Sequence, residues 1–201
     1  TTMKPKISPS YAFVVDGKTE AWYLQMLKRN ERKINVAIRP ELAQKKSLSA
    51  QFEQVCELAE SYSEVFWVMD MDTIIKELHE NPNSRINVQL SQYVDKLPAN
   101  AHFIPNVPCL EYWFLLHVKQ TSRYYATYKS LERELHLTDL LANYEKSERY
   151  FTGSNDIYKR LRPYLENAVY NAKLLPELDF SKLEVGICGM YKIINALNII
   201  N

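Results

Sequence analysis

Glycine, cysteine and net charge are all scarce in this 201-residue chain, which has four glycines, three cysteines and a formal charge of +1. Each shortage removes a class of function. A phosphate-cradling loop needs a glycine upstream of its Gly-Lys-Ser/Thr tail. Gly17-Lys18-Thr19 has that tail without the upstream glycine. Cys56, Cys109 and Cys188 are odd in number, far apart and without metal-ligand spacing. That argues against a disulfide framework or a zinc site, and it fits a reducing, cytoplasmic compartment. A near-neutral chain exerts no long-range pull on polyanions, so any nucleic-acid contact must be a local patch. No apolar run reaches membrane-spanning length, and no signal-peptide core opens the sequence. No Ser-His-Asp or Cys-His pattern suggests a covalent nucleophile.

What is present is an ordinary globular balance, 46% hydrophobic and 24% charged, in a length sufficient for one buried core. Residues 1–9 read as an unstructured leader. Tyr11-Ala-Phe-Val-Val15 is a short β-branched run stopped by Asp16-Gly17, and a helix is expected over 19–29. Asn35-Val-Ala-Ile-Arg39 reads as a second strand and 50–61 as a helix. Val65-Phe-Trp-Val-Met69, apolar throughout, reads as a strand covered on both faces. A loop over 79–85 and a helix over 86–97 precede a short strand at Ala101-His-Phe-Ile104. Pro105 and Pro108 then bracket a connection to a helix over 110–118. Alternating strands and helices imply a mostly parallel sheet of about four strands with helices on both faces. No strand is expected after Lys119. Helices are expected over 124–144, 155–175 and 190–200. The division is thus an α/β core over 10–120 and a helical extension over 121–201, packed on the core or lying over it as a lid.

The chemistry concentrates in acids at strand ends. Asp16 follows the first strand, with Glu20 four residues on, and Asp70 and Asp72 follow the third. Parallel strands place their C-terminal ends on one edge, where ligands bind. Side chains two apart on an extended chain face one way, so Asp70 and Asp72 address a common point. If the first and third strands are neighbours, Asp16 or Glu20 reaches that point too. Clustered carboxylates raise one another's pKa, and a hard cation such as Mg²⁺ or Mn²⁺ relieves the repulsion. Taken singly, each acid has a plainer use. Asp16 suits a helix N-cap, Glu20 a first helical turn, and the Asp70-Met-Asp72 pair a turn after a strand. A receiver-like domain gathers acids at the same positions.

Three blocks carry a family resemblance: Phe13-Val-Val-Asp-Gly-Lys-Thr-Glu20, Phe66-Trp-Val-Met-Asp-Met-Asp72 and Asn106-Val-Pro-Cys-Leu-Glu-Tyr-Trp-Phe-Leu-Leu-His117. In this order they resemble the RloB-like family, over roughly residues 10–175. Those proteins are encoded beside bacterial restriction–modification and other defence genes. Their domain is similar to Toprim, the metal-binding fold of topoisomerases, primases and OLD-type nucleases. The resemblance implies a Toprim-like (Rossmannoid) fold and a Mg²⁺- or Mn²⁺-dependent nuclease with Asp70, Asp72 and Glu20 as ligands. Glu111 and His117 match the third block. Asp16 stands where the family usually has glutamate, one methylene longer, so metal contact there is expected to be longer or water-mediated. The residues themselves leave Glu111 as either a solvated helix start or a group facing the acids, and His117 as a structural histidine or a site group.

Lys28, Arg29, Arg32, Lys33, Arg39, Lys45 and Lys46 outnumber Glu31 and Glu41 around the second strand. Such a run is either a solvated face or a track for a phosphate backbone. Lys18, Lys45 and Lys46 are the expected nucleic-acid contacts. Arg123-Tyr-Tyr125 and Tyr158-Lys-Arg160 offer rings for base stacking or, more simply, for a helical core. Two functions therefore stand side by side. One is a metal-dependent nuclease of bacterial anti-phage defence. The other is an inactive Toprim-like or receiver-like module that acts through a protein partner, for instance within a defence system.

Overall fold

The computed structural model describes residues 9–31, 34–39 and 46–200. Five strands form one sheet in the order β2-β1-β3-β4-β5. They are β1 (Ser10–Val15), β2 (Asn35–Arg39), β3 (Glu64–Asp70), β4 (Ala101–Val107) and β5 (Ile187–Cys188). The first four are mutually parallel, and β5 runs antiparallel to β4. The α/β fold read from the sequence is thus present, with one strand more than expected. The extra strand, β5, lies beyond Lys119. Two residues between glycines at 186 and 189 are too few to carry a strand's period, so its pairing is set by the β4 edge and not by its own sequence.

The strand β4 also continues past Ile104, through Pro105 to Val107. Proline is tolerated because the Pro105 carbonyl accepts from Gly189 N–H at 2.8 Å, on the outer side of the strand. The missing N–H falls on that side too, where β4 lacks a full neighbour. Pro105 is therefore part of the strand and not of the connection expected after it.

Alternation along the strands divides the core in two. Tyr11, Phe13, Val15, Phe66, Val68 and Ile104 face one layer, and Ala12, Val14, Val65, Trp67, Met69 and Ala101 face the other. The second layer is closed by α2 (Leu48–Ala59), α3 (Asp72–Glu80) and α4 (Ile86–Asp95), through Val55, Ile74, Ile75 and Leu90. Within it the Trp67 indole donates to Gln51 Oε1 at 2.8 Å, which explains a buried glutamine on α2. The helix α3 was not expected; Asp72 opens its first turn directly from the end of β3.

The first layer is closed by α1 (Lys18–Asn30) and α5 (Glu111–Leu116), together with the C-terminal helices. These are α6 (Tyr128–His136), α7 (Glu148–Thr152), α8 (Ile157–Leu161), α9 (Leu165–Lys173) and α10 (Met190–Ala196). The long helix expected over 124–144 is reduced to α6, and the one expected over 155–175 is broken into shorter pieces. In the second, Arg162-Pro-Tyr164 makes a 3₁₀ turn between α8 and α9, because a proline there has no N–H for the helix ladder. Leu131, Leu135, Phe151, Leu161, Ala168 and Ile193 share one hydrophobic cluster with β1, β3 and α5. Asp156 fastens two helices of this layer together. It caps α8 through Lys159 N–H at 2.8 Å and accepts from Arg29 at 2.6 Å, at the end of α1. No helix among the described residues is long and apolar enough to cross a membrane.

Candidate metal centre

The sheet order puts β1 beside β3, with Val15 opposite Val68. The acids that follow the two strands therefore meet at one edge. A cavity of about 330 Å³ opens there, lined by Asp16, Lys18, Glu20, Asp70, Asp72 and Lys146 among others. The four acids picked out at strand ends thus line one depression. Lys18 joins them from the N-terminus of α1.

Local structure explains each position. The residue capping α1 is Gly17, not Asp16, and it makes no side-chain cap. A Cβ at position 17 would lie 2.9 Å from Glu20 Cδ, so glycine is what allows the Glu20 carboxylate to fold back beneath the turn. Glu20 is almost wholly buried and accepts from its own backbone N–H. Asp16 accepts from the Lys46 backbone N–H at 3.4 Å. The Asp70 and Asp72 turn is locked to the third sequence block. Met71 N–H donates to Asn106 O at 2.9 Å, Asp72 N–H to Pro108 O at 3.0 Å, and Leu110 N–H to Asp70 Oδ1 at 2.8 Å. These bonds bring Cys109 and Glu111 against the acids. One donor atom from each of Asp70, Cys109 and Glu111 lies within 4.8 Å of the others.

Glu111 resolves the two readings left open by the sequence. It begins α5, is fully buried, and faces the acids instead of solvent. Its Oε1 accepts from the Tyr144 hydroxyl at 2.9 Å and from Lys146 Nζ at 2.9 Å, while Oε2 has no hydrogen-bond partner among the described residues. Lys146 also lies over the Tyr128 ring, 4.6 Å from its centre. Neither Tyr144 nor Lys146 was singled out in the sequence. Lys146 sits between Glu145 and Ser147 in a polar loop with no motif to mark it.

The electrostatics follow from this crowding. Glu20 is pushed up to about 7, first by burial and then by the charges of Glu111 and Asp16, against its backbone hydrogen bond and Lys146. Asp70 is held well above the usual carboxylate range by desolvation, then by Glu20, Glu111 and Asp72. Asp72 is raised as well, chiefly by burial. Burial acts to lower Lys146, yet its bond to Glu111 and the neighbouring Cys109 and Asp70 raise it overall, so it stays an ammonium. The pocket thus holds several carboxylates that resist ionising together, which is the condition a divalent cation relieves.

Of the remaining expected site residues, Lys46 adjoins Asp16 through its backbone, and His117 falls elsewhere. His117, at the far end of α5 from Glu111, lines a separate cavity of about 1000 Å³ with Leu137, Tyr164 and Tyr170. Its Nδ1 bonds to Trp113 O at 2.8 Å, and burial holds its pKa down to about 4, so it is neutral at pH 7. Lys46 Nζ donates to Gln54 Oε1 at 3.1 Å, while Lys45, Arg32, Lys33 and Glu41 lie outside the described residues. Arg29 is engaged by Asp156, and Tyr125 and Tyr158 are buried in the helical core, so their rings are not presented for stacking.

No curated protein and no solved structure matches the chain. A family profile does, described as RloB-like protein, over residues 11–197. It runs from β1 through α10, further than the three motif blocks, and takes in Tyr144 and Lys146 as well as the strand-end acids. The chain belongs to the RloB-like protein family.

Proposed function

We propose that this chain is a divalent-metal-dependent nuclease that hydrolyses a DNA or RNA phosphodiester in bacterial anti-phage defence. The observation that carries the reading is the convergence of Asp16, Glu20, Asp70 and Asp72 on one cavity, with Glu111 behind them. Four lining carboxylates face two lining cations, Lys18 and Lys146. The donor set fits a hard ion: it is rich in carboxylate oxygen, and among the described residues a buried oxygen of Glu111 has no hydrogen-bond donor. Glu20, Asp70 and Asp72 would hold Mg²⁺ or Mn²⁺, with Asp16 at the rim. Such an ion lowers the pKa of water and offsets charge developing on a phosphoryl group. The protein's own contribution is separate. Leu110 N–H fixes the Asp70 carboxylate, Gly17 lets Glu20 reach inward, and the Lys18 and Lys146 ammonium groups attract the phosphate.

The test is a cleavage assay on single- and double-stranded DNA and RNA, with Mg²⁺, Mn²⁺ or chelator. Chelation should abolish cleavage. Glu20→Gln should lower it by about a hundredfold or more, the scale of losing one acid–base or ligand group. Lys46→Ala should leave the metal requirement intact and flatten the salt dependence of binding by about one unit of slope per lost phosphate contact. Cleavage undiminished in Glu20→Gln rules out this site.

A second reading, an inactive module that works by contacting a protein, draws on Leu137, Tyr164 and Tyr170. They are 80%, 40% and 61% exposed around the cavity by His117. Partner binding that survives both chelation and Glu20→Gln, without cleavage of any substrate, would favour it.

A further inference from the structure

Cys109 was set aside in the sequence because no second cysteine stands at ligand spacing. The fold supplies different partners. The thiol is 1% exposed, and its sulfur meets carboxylate oxygens of Asp70 and Glu111 within 4.8 Å. The Asp70 carboxylate is oriented by the Leu110 amide. Glu111 Oε1 is taken by Tyr144 and Lys146, but Oε2, on a side chain with no exposed surface, has no hydrogen-bond donor among the described residues. A buried carboxylate oxygen left without a donor points to a cation as its partner.

We propose that Asp70, Cys109 and Glu111 form an inner cation position, contiguous with the outer acids and sharing Asp70 with them. It takes a borderline-soft divalent ion of the Zn²⁺, Co²⁺ or Fe²⁺ kind through one sulfur and two carboxylate oxygens. This deepens the proposed function, and it rests on the reading that the acids hold cations at all. The donor chemistry selects the ion. Mg²⁺ takes oxygen ligands, whereas a thiolate favours softer first-row ions. The dimensions agree. Metal–sulfur and metal–oxygen bonds of about 2.3 and 2.1 Å place three donors roughly 3.4–3.8 Å apart, so an inward shift of about half an ångström per donor closes the set. On binding, the Cys109 proton passes to solvent and the sulfur becomes a thiolate ligand. The three ligands come from the end of β3 and from the turn between β4 and α5, which the Leu110–Asp70 bond ties together.

The test uses the whole chain with Co²⁺ and Cd²⁺ as probes. Co²⁺ should produce a near-ultraviolet thiolate-to-metal charge-transfer band, and the cadmium-113 resonance should fall in the range of mixed sulfur and oxygen coordination. Cys109→Ser should remove the band and weaken Cd²⁺ binding at least about tenfold, since losing even an outer-shell partner costs about 10–100-fold. Cys56→Ser and Cys188→Ser should leave both signals unchanged. The cadmium-113 shift of wild type and of these two controls reports sulfur ligation even if Cys109→Ser fails to fold. A resonance in the all-oxygen range, or a band that survives in Cys109→Ser, overturns the inner position. If Mg²⁺ or Mn²⁺ still binds and Asp70→Asn abolishes that binding, the proposed function stands while this inference falls. If no divalent ion binds, both fall.

Discussion

Replacing Glu20 with glutamine should stabilise the metal-free protein at pH 8, although it removes a group of the proposed centre. Glu20 is almost fully buried, and its pKa rises from 4.5 to about 7 on folding. A group whose folded pKa is raised stabilises the fold while protonated. Its contribution is complete below about pH 4.5 and is lost as pH climbs through 7. The loss amounts to about 3 kcal/mol, at about 1.4 kcal/mol per pKa unit. A glutamine side chain there carries no charge at any pH and keeps the shape of protonated glutamate, including an oxygen for the residue's own N–H. Removing the charge also eases Asp70, whose pKa Glu20 helps to raise, so the two effects add. In chelator at pH 8, Glu20→Gln should melt roughly 6–12 °C above wild type, on the usual scale for a domain of this size. At pH 4.5 the two should coincide. Mg²⁺ should then close most of that gap, since a ligand at a hundred times its Kd adds about 2.7 kcal/mol to wild type alone. Melting curves at both pH values, with and without metal, measure all of this. A variant no more stable than wild type at pH 8 in chelator, or a gap equally large at pH 4.5, would refute the reasoning.

Two further outcomes follow from the same geometry. Asp70→Asn should fold normally, because an amide oxygen still accepts from Leu110 N–H and one repelling charge is gone, yet its melting temperature should not rise with Mg²⁺; differential scanning fluorimetry reads both. Asp156→Ala should cost about 1–3 kcal/mol by denaturant titration, since it removes the α8 cap and the carboxylate that Arg29 and Asn30 share, although Arg29 keeps the Thr152 and Gly153 carbonyls and Asn30 the Met26 carbonyl.

The strands that build the site were legible because each is a run of apolar, largely β-branched or aromatic residues, and the acids at their ends followed directly. Adjacency of β1 and β3 was a condition in the sequence and an observation in the fold. What escaped notice had no local signal. The strand β5 is defined by its neighbour, and α3 starts at an aspartate that reads equally well as a turn. Cys109 illustrates the limit of spacing rules. Its partners come from another strand end and from two residues further on, so only the crossing of two loops makes it a member of the cluster. Lys146 lies 35 residues beyond Glu111 in a loop of ordinary composition.

That distance bears on what the helical part of the chain is for. A carboxylate as deeply buried as Glu111 is costly unless an opposite charge and hydrogen-bond donors accompany it. Both come from the α6–α7 connection, as the Tyr144 hydroxyl and the Lys146 ammonium. The same segment joins the hydrophobic cluster that holds Phe13, Phe66 and Val68, through Leu141 and Tyr144. The helices therefore do more than lie over a finished α/β core. They close one of its two hydrophobic layers and supply the ammonium that pairs with Glu111 beside Asp70, while Asp156 fastens α8 to the end of α1. The acidic centre is thus a property of the whole chain from β1 to α10, the span over which the family profile matches.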